Sequence, residues 1–410
     1  MARRQAVCGR RKACILAALI RLTLKPGREE SVRRRHPWIF SGAIASQEGD
    51  GTDGVAEVVD SGGAPLGRGA YSPRSQIVAR LWTFDGRSPD VSLFRERFTA
   101  ARRLRRESLA PATTGFRAVN SEGDFCPGVL VDVFAEVAVM DLLTEGTTRW
   151  RAALETAARD VLESGRLIVR ETAAERDRGS RPHQPRERGV GAPDLVDFLE
   201  NGLQFVADVA AGQKTGFYLD QRENRARLRA RASGRSVLDL FSYSGAFSVA
   251  ALAGGARRAV AVDASEAALQ LARELRRRNG FPVEEEDFVR ADVFEDVRRR
   301  VEARETWDVV ICDPPAFAKK RGDLQRAARG YQDVNRLAMS LVAPGGWLLT
   351  CSCSGLVDAD LFQKIVFSAS VEAGASFALT ERQGAPPDHP VSLDCPEGEY
   401  LQGLWLRRSS

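Results

Sequence analysis

Two stretches decide the fold of this chain: Ser236-Val237-Leu238-Asp239-Leu240-Phe241-Ser242-Tyr243-Ser244-Gly245-Ala246-Phe247 and Trp307-Asp308-Val309-Val310-Ile311-Cys312-Asp313-Pro314-Pro315-Ala316-Phe317. Each starts as a short continuous apolar run and ends in a turn, the pattern of a strand buried on both faces. Residues 258–263, 288–293 and 346–351 read as further strands, and 266–280, 295–304 and 329–342 as helices. This alternation from residue 194 to 410 predicts an α/β domain of Rossmann-like type, its mostly parallel sheet covered on both faces. The carboxyl ends of such strands face the ligand crevice. The turn at Asp313 and the segment Thr350-Cys351-Ser352-Cys353-Ser354-Gly355 are therefore expected to look into one pocket.

Upstream the pattern changes. Five short apolar runs separated by Gly, Pro and Asp lie between residues 21 and 84 and predict a small β-barrel or half-barrel. A helix is expected over 92–108, then an α+β unit with strands at 116–120, 128–134, 136–143 and 166–171 around a helix at 148–162. The expected domains are thus 21–92, 93–193 and 194–410. Residues 171–193, polar and rich in Arg and Pro, read as an exposed loop. Residues 1–20 pair a basic run with about eight apolar residues, short for a signal sequence and far short of a membrane span. They are expected to be a disordered extension or to follow an upstream start codon.

The chain has 410 residues, 28% of them charged and 43% hydrophobic, with net charge +5, which fits two or three globular domains. Only six residues are lysine, so arginine supplies the positive charge. That bias fits an RNA-binding surface, since the guanidinium forks onto phosphate and stacks on bases, and it fits equally a GC-rich genome. Seven scattered cysteines without a C-x-x-C pair argue for a reducing cytoplasm over a disulfide framework, and no metal site is expected.

The strand ends carry the chemistry. The turn Phe241-Ser242-Tyr243-Ser244-Gly245 leads into a helix N-terminus, a compact seat for a cofactor's polar end. Asp239, Asp263, Asp292 and Asp313 lie at or near the ends of four successive strands. Asp263 stands where an acid holds ribose hydroxyls, and Asp292 where one accepts from an adenine amino group. One such acid is commonly a helix cap; the set points to a nucleoside-containing cofactor. No G-x-x-x-x-G-K occurs, and S-adenosylmethionine fits best. Cys353, after the last of these strands, is a candidate nucleophile. A thiolate added at carbon-6 of a pyrimidine makes carbon-5 nucleophilic toward a methyl group, with an acid such as Asp313 stabilising the charge that develops. Cys312 and Cys351 sit inside apolar runs and read as small hydrophobes.

With these residues in view, the chain from about Arg21 onward resembles the bacterial 23S ribosomal RNA large-subunit methyltransferase I family, cytosine carbon-5 enzymes using S-adenosylmethionine. The resemblance rests on RRRHPWIFSGAI, RGAYSPRSQIVARLWTF, KTGFYLDQRENR, FSYSGAFSVAAL, DPPAF, RGYQDVN, CSCSGLVDADLFQKI and DHPV. It implies a PUA-type RNA-binding domain, a central α+β domain and a class I methyltransferase domain, acting in ribosomal RNA processing in the cytoplasm. It implies Cys353 as nucleophile, with Lys214, Phe217, Tyr218, Asp220 and Arg222 lining the donor and target pocket. Pro314, Pro315 and Phe317 would lie against the base. Expected partners are 23S ribosomal RNA and a second copy of the chain, with no membrane. Residues 122–126 look lengthened against the family. Ala316 stands where many RNA cytosine methyltransferases carry a second cysteine, and the base that takes the carbon-5 proton is unassigned. A related ribosomal RNA enzyme family methylates a purine nitrogen with similar turns but no cysteine at 353. A catalytically inactive assembly factor is the alternative from another class.

Overall fold

The computed structural model describes residues 19–171, 194–210, 212–317 and 321–409. Of the loop expected at 171–193 and the extension expected at 1–20, residues 172–193 and 1–18 lie outside them. Ile20, grouped with that extension on sequence, instead begins the first strand with its side chain buried.

The first unit has six strands, one more than the apolar runs indicate: β1 (Ile20–Leu24), β2 (Trp38–Phe40), β3 (Ile44–Glu48), β4 (Val55–Val59), β5 (Pro65–Tyr71) and β6 (Ile77–Thr83). Their order is β2-β6-β5-β4-β1-β3, with β1 parallel to β4 and the other neighbours antiparallel. The run at 36–44 splits into β2 and β3, because a single turn of 3₁₀ helix at Ser41–Ala43 redirects the chain.

A helix, α1 (Val91–Ser108), follows, capped by Asp90, whose carboxylate accepts from Leu93 N at 2.9 Å. The sequence boundary at 92/93 therefore falls inside the first helical turn. Strands β7 (Gly115–Asn120), β8 (Val129–Phe134), β9 (Val137–Leu142) and β10 (Arg166–Glu171) form a second sheet, order β10-β9-β8-β7, with α2 (Arg151–Val161) packed against α1. Its core is not separate from the first unit. Trp82 of β6 lies edge-on to Phe94 and Trp150, at 5.0 and 5.3 Å between centroids, and its indole N–H donates to Pro127 O at 3.1 Å. Burying two or three aromatics in one cluster welds the units, as each ring removes a large apolar area from water.

A hairpin, β11 (Leu195–Glu200) with β12 (Leu203–Asp208), carries the chain into the third unit, which opens with α3 (Arg222–Arg231). Then come β13 (Ser236–Leu240), α4 (Ala246–Ala253), β14 (Arg258–Asp263), α5 (Glu266–Arg278), β15 (Phe288–Arg290), α6 (Val293–Glu302), β16 (Trp307–Cys312), α7 (Leu324–Ser340), β17 (Val342–Ser352), α8 (Ala359–Glu372), β18 (Phe377–Gln383) and β19 (Gln402–Arg408). The sheet order is β15-β14-β13-β16-β17-β19-β18. The first five strands are parallel; β19 runs antiparallel to both neighbours. The order reverses beside β13, so β13 and β16 flank the switch point where an open α/β sheet leaves its crevice.

The third unit is tied to the second by buried charge. Asp388, fully buried, accepts from Arg222 Nη1 at 3.0 Å, from Arg117 N at 2.9 Å and from His389 Nδ1 at 3.0 Å. Beside it Arg105 forks onto Asp124 with two 2.6 Å bonds and donates to Asp388 O at 2.7 Å. Burial opposes the charge on Asp388, but His389 and Arg222 outweigh it and hold the carboxyl well below its usual range. Removing one partner of a buried pair strands the other's charge. Asp388→Asn is therefore expected to destabilise the protein by about 3 to 5 kcal/mol in urea unfolding. A loss under about 1 kcal/mol, the range of an exposed pair, would show that solvent reaches Arg222.

Candidate active site

The turn after β13 is shaped by backbone that few residues adopt. Phe241 and Tyr243 hold φ of +59° and +47°, and Gly245 holds +69°. A Cβ on Gly245 would stand 2.7 Å from that of Ala272, so glycine lets α4 close on α5. Asp263 ends β14, and its two carboxylate oxygens accept from Tyr243 N and Ser265 N, both at 2.8 Å. One acid thus braces the turn and keeps a lone pair on each oxygen.

Asp239 is buried within β13. Its Oδ2 accepts from Ser248 N and Oγ at 3.2 and 3.0 Å, while its Oδ1, like Ser242 Oγ nearby in sequence, is buried without a partner. Burial, aided by Asp313 and Asp263 against the Ser248 bonds, pushes its carboxyl up to about 7. A buried acceptor left open at a strand end is the mark of an unfilled ligand contact.

Across the crevice, β16 and β17 pair in parallel and deliver Asp313 and Cys353 to one place. Cys353 Sγ lies 3.9 Å from Pro314 O. Asp313 Oδ2 accepts from Gln221 Nε2 at 2.9 Å. Burial, then Asp220, pushes Asp313 up to about 7, with Lys214 opposing. Burial, then Asp313, pushes the Cys353 thiol up to about 12, again opposed by Lys214. The thiol is protonated at neutral pH in this state; a cation brought into the site would favour the thiolate.

Lys214, at φ +52°, pairs with Asp220 and holds its Nζ 4.4 Å above the Tyr218 ring. Tyr400 donates to Asp220 Oδ2 at 2.7 Å. Burial opposes the Asp220 charge, but Lys214 overcomes it and holds that carboxyl below its usual range. The Tyr218 ring stands edge-on to Tyr243 at 5.5 Å, joining this group to the turn after β13. Phe317, half-buried, packs on Tyr331 at 4.6 Å. Pro314 is buried and Pro315 exposed.

Two expectations need correcting. Phe217, expected to line the donor and target pocket, is 2% exposed and packs between Phe198 and Phe205, at 5.0 and 5.3 Å. An aromatic beside glycine at a strand exit has filled the nearest apolar void. Arg222, expected to touch substrate, is spent on Asp388 deep inside the protein. Asp292, expected at the donor, is exposed and caps α6, its Oδ1 accepting from Glu295 N at 3.2 Å. Asp220, expected at the donor, has Oδ2 on Lys214 and Tyr400, while its Oδ1 is buried without a partner.

Sequence reading passed over Gln221, Asn224, Tyr400 and Trp405, which stand behind Asp313 and Asp220. Gln221 and Asn224 lie within KTGFYLDQRENR, but polarity inside a helical start looks like surface. His36, Cys395 and Glu397 also converge, with ligating atoms within 4.8 Å of one another. Trp38 N donates to His36 Nδ1 at 3.3 Å, which leaves the ring proton on Nε2, facing Glu397 Oε2 at 3.3 Å. The trio is thus joined by hydrogen bonding, with no lone pair on Nε2 for a metal.

Residues 122–404 match a family of S-adenosylmethionine-dependent methyltransferases, and residues 22–84 match the PUA-like domain. The ribosomal RNA large subunit methyltransferase I of Citrobacter koseri is 42% identical over 393 residues, covering 95% of this chain and 99% of that protein. The same-named protein of Escherichia coli is 41% identical over 393 residues, with the same coverage. The chain belongs to the ribosomal RNA large subunit methyltransferase I family. Its fold is also that of a SAM-dependent methyltransferase structure from Streptococcus mutans, with TM-score 0.80 and 23% identity over 94% of this chain and 99% of that one. A second structure with the same figures is a methyltransferase complexed with SAH.

As a member of that family the protein is an S-adenosylmethionine-dependent methyltransferase. The site fits the donor: Asp239 Oδ1 and Ser242 Oγ await polar partners, and Asp263 keeps acceptor capacity for ribose hydroxyls. Among the described residues no helix is long and apolar enough to cross a membrane.

Asp239 yields a pH test. Its pKa is near 3.8 unfolded and about 7 folded, so the folded protein holds the extra proton between those values. Its contribution is therefore present in full below the unfolded pKa and lost as pH rises through the folded one. Asp239→Asn is expected to gain stability relative to wild type as pH rises from about 4 to about 7, read as melting temperature without donor. A constant difference across that window would show that Asp239 is not held protonated.

Proposed function

We propose that the protein transfers the methyl group of S-adenosylmethionine to carbon-5 of a cytosine in 23S ribosomal RNA, through a covalent adduct between Cys353 and carbon-6 of the ring. The observation that carries this reading is the placement of the Cys353 thiol 3.9 Å from the carbonyl of Pro314, in the turn begun by Asp313. A nitrogen methyltransferase needs the acid and the carbonyl but no thiol between them. The names of the Citrobacter koseri and Escherichia coli relatives supply the large-subunit ribosomal RNA.

Each residue then has a task. The donor supplies an electrophilic methyl group, and its sulfonium brings positive charge into the crevice. The turn from Phe241 to Gly245, with Asp239 and Asp263, orients it. Lys214 opposes the upward pull on the Cys353 pKa, and Asp313 offers a carboxyl to the pyrimidine edge. Tyr218, half-exposed beside Lys214, is the aromatic face available to a base taken out of its stack. The PUA-like unit at 22–84 binds the RNA outside the crevice.

Wild-type protein given labelled donor and deproteinised ribosomal RNA is expected to form 5-methylcytosine, and Cys353→Ala to form none while still binding the donor. RNA carrying 5-fluorocytosine should trap wild type in a denaturation-resistant complex, because the carbon-5 fluorine cannot leave as a cation. Equal methylation by both proteins would refute the adduct. A methylated purine would refute the reaction class.

A further inference from the structure

Behind Asp313 runs a chain of three buried side chains whose direction is fixed by chemistry. Trp405 Nε1 faces Asn224 Oδ1 at 3.1 Å, Asn224 Nδ2 faces Gln221 Oε1 at 2.7 Å, and Gln221 Nε2 faces Asp313 Oδ2 at 2.9 Å. Asn224 and Trp405 are fully buried and Gln221 is 3% exposed. An amide can usually be turned end for end, but an indole N–H only donates. Trp405 therefore requires the oxygen of Asn224; Asn224 must then present N–H to Gln221, and Gln221 must present N–H to Asp313. The packing leaves room for this and little more, since a Cβ on Gly403 would stand 3.2 Å from Asn224 Nδ2.

We propose that Trp405, Asn224 and Gln221 are positioning residues that hold Asp313 Oδ2 as a permanent acceptor, so that Oδ1 alone carries the proton given to N3 of the cytosine. This rests on the proposed role of Asp313 at the pyrimidine edge. The step balances as follows. The Cys353 thiolate, its proton lost to solvent, forms the sulfur–carbon-6 bond. The carbon-5–carbon-6 pair moves to carbon-4–carbon-5, and the carbon-4–N3 pair takes the proton from Oδ1. The Asp313 carboxylate that remains is held by the Gln221 N–H. A carboxyl free to turn would divide its proton between both oxygens and present a bare acceptor to N3 part of the time. The raised pKa of Asp313 is consistent with a carboxyl that holds a proton near neutrality. The charged and titratable groups that act on it are Asp220, Lys214 and Tyr218 before α3, Arg225 on α3, Asp239 on β13, Cys312 on β16, Tyr331 on α7, Cys351 on β17 and Cys353 just after it.

The test compares Gln221→Met, Asn224→Asp and Trp405→Phe in single-turnover methylation across pH, with donor affinity by calorimetry. Asn224→Asp still accepts from Trp405 but no longer donates to Gln221. Gln221→Met and Asn224→Asp are expected to slow methylation by about a hundredfold, the scale of a misplaced general acid, and to move the alkaline limb of the pH profile, where Asp313 loses its proton. Trp405→Phe should show the same shift to a lesser degree. Donor affinity and KM for RNA should change less than about twofold, as uniform binding is untouched. In an Asp313→Asn background Gln221→Met should cost nothing further. An unmoved pH profile in all three variants, or a full additional loss in the Asp313→Asn background, would overturn the relay. Full activity of Asp313→Asn alone would instead overturn the role assigned to Asp313. Trp405→Phe removes the indole N–H while keeping an aromatic, apolar side chain, so a folding failure of the other two leaves its pH profile to decide.

Discussion

The carboxylate of Asp388 is the constraint on which the arrangement of units depends. A charge taken out of water is costly unless every lone pair finds a donor, and Asp388 finds Arg222, the amide of Arg117 and His389. These partners come from α3, from β7 and from the loop before β19, so one anion fixes the catalytic unit against the central sheet. Burial, then Arg117, lowers the pKa of His389, whose Nδ1 faces Asp388 Oδ1 at 3.0 Å. The segment that ends in Gln221 is thereby clamped on both sides: Arg222 is pinned by Asp388 and Asp220 by Lys214 and Tyr400. The crevice inherits its geometry from a salt bridge that never meets substrate.

Within the catalytic unit, opposite demands fall on neighbouring acids. Asp313 and Asp239 have their pKa raised by burial with too few donors, while Asp220 and Asp388 are surrounded by cations and have theirs lowered. The sorting follows from position. Asp239 and Asp313 stand at the ends of β13 and β16 with few donors, whereas Asp388 and Asp220 lie beside the cations Arg222 and Lys214, although Asp220 Oδ1 is buried without a partner. Such separation of carboxyl environments is how one fold keeps some acids as structural anions and others as proton carriers.

The parallel sheet was legible because β13, β14 and β16 are runs of Val, Ile, Leu and Ala ended by an acid, and their register brings those acids together. Asp263 and the Cys353–Asp313 pair followed from the same logic. What escaped was what depends on distant segments. Phe217 and Arg222 sit among exposed-looking polar residues, and only the placement of Phe198, Phe205 and Asp388 shows that both are interior. The hairpin β11–β12 and the antiparallel pair β18–β19 carry mixed polar and apolar residues with no period strong enough to declare them. Gln221 and Asn224 gain their meaning from Trp405, about 180 residues later in the chain.

The place of β19 also sets an order of events during synthesis. Among the described residues it is the last strand in sequence, yet it lies between β17 and β18 and is the only strand paired with β18. Until it emerges, β18 has nothing to pair with and the edge of β17 stays open, a template for stray pairing by other chains. The parallel core can assemble early, but the side chain that orients the amides behind Asp313 arrives with that final strand. During synthesis the parallel strands β13 to β17 are therefore complete before the strand that carries Trp405 emerges.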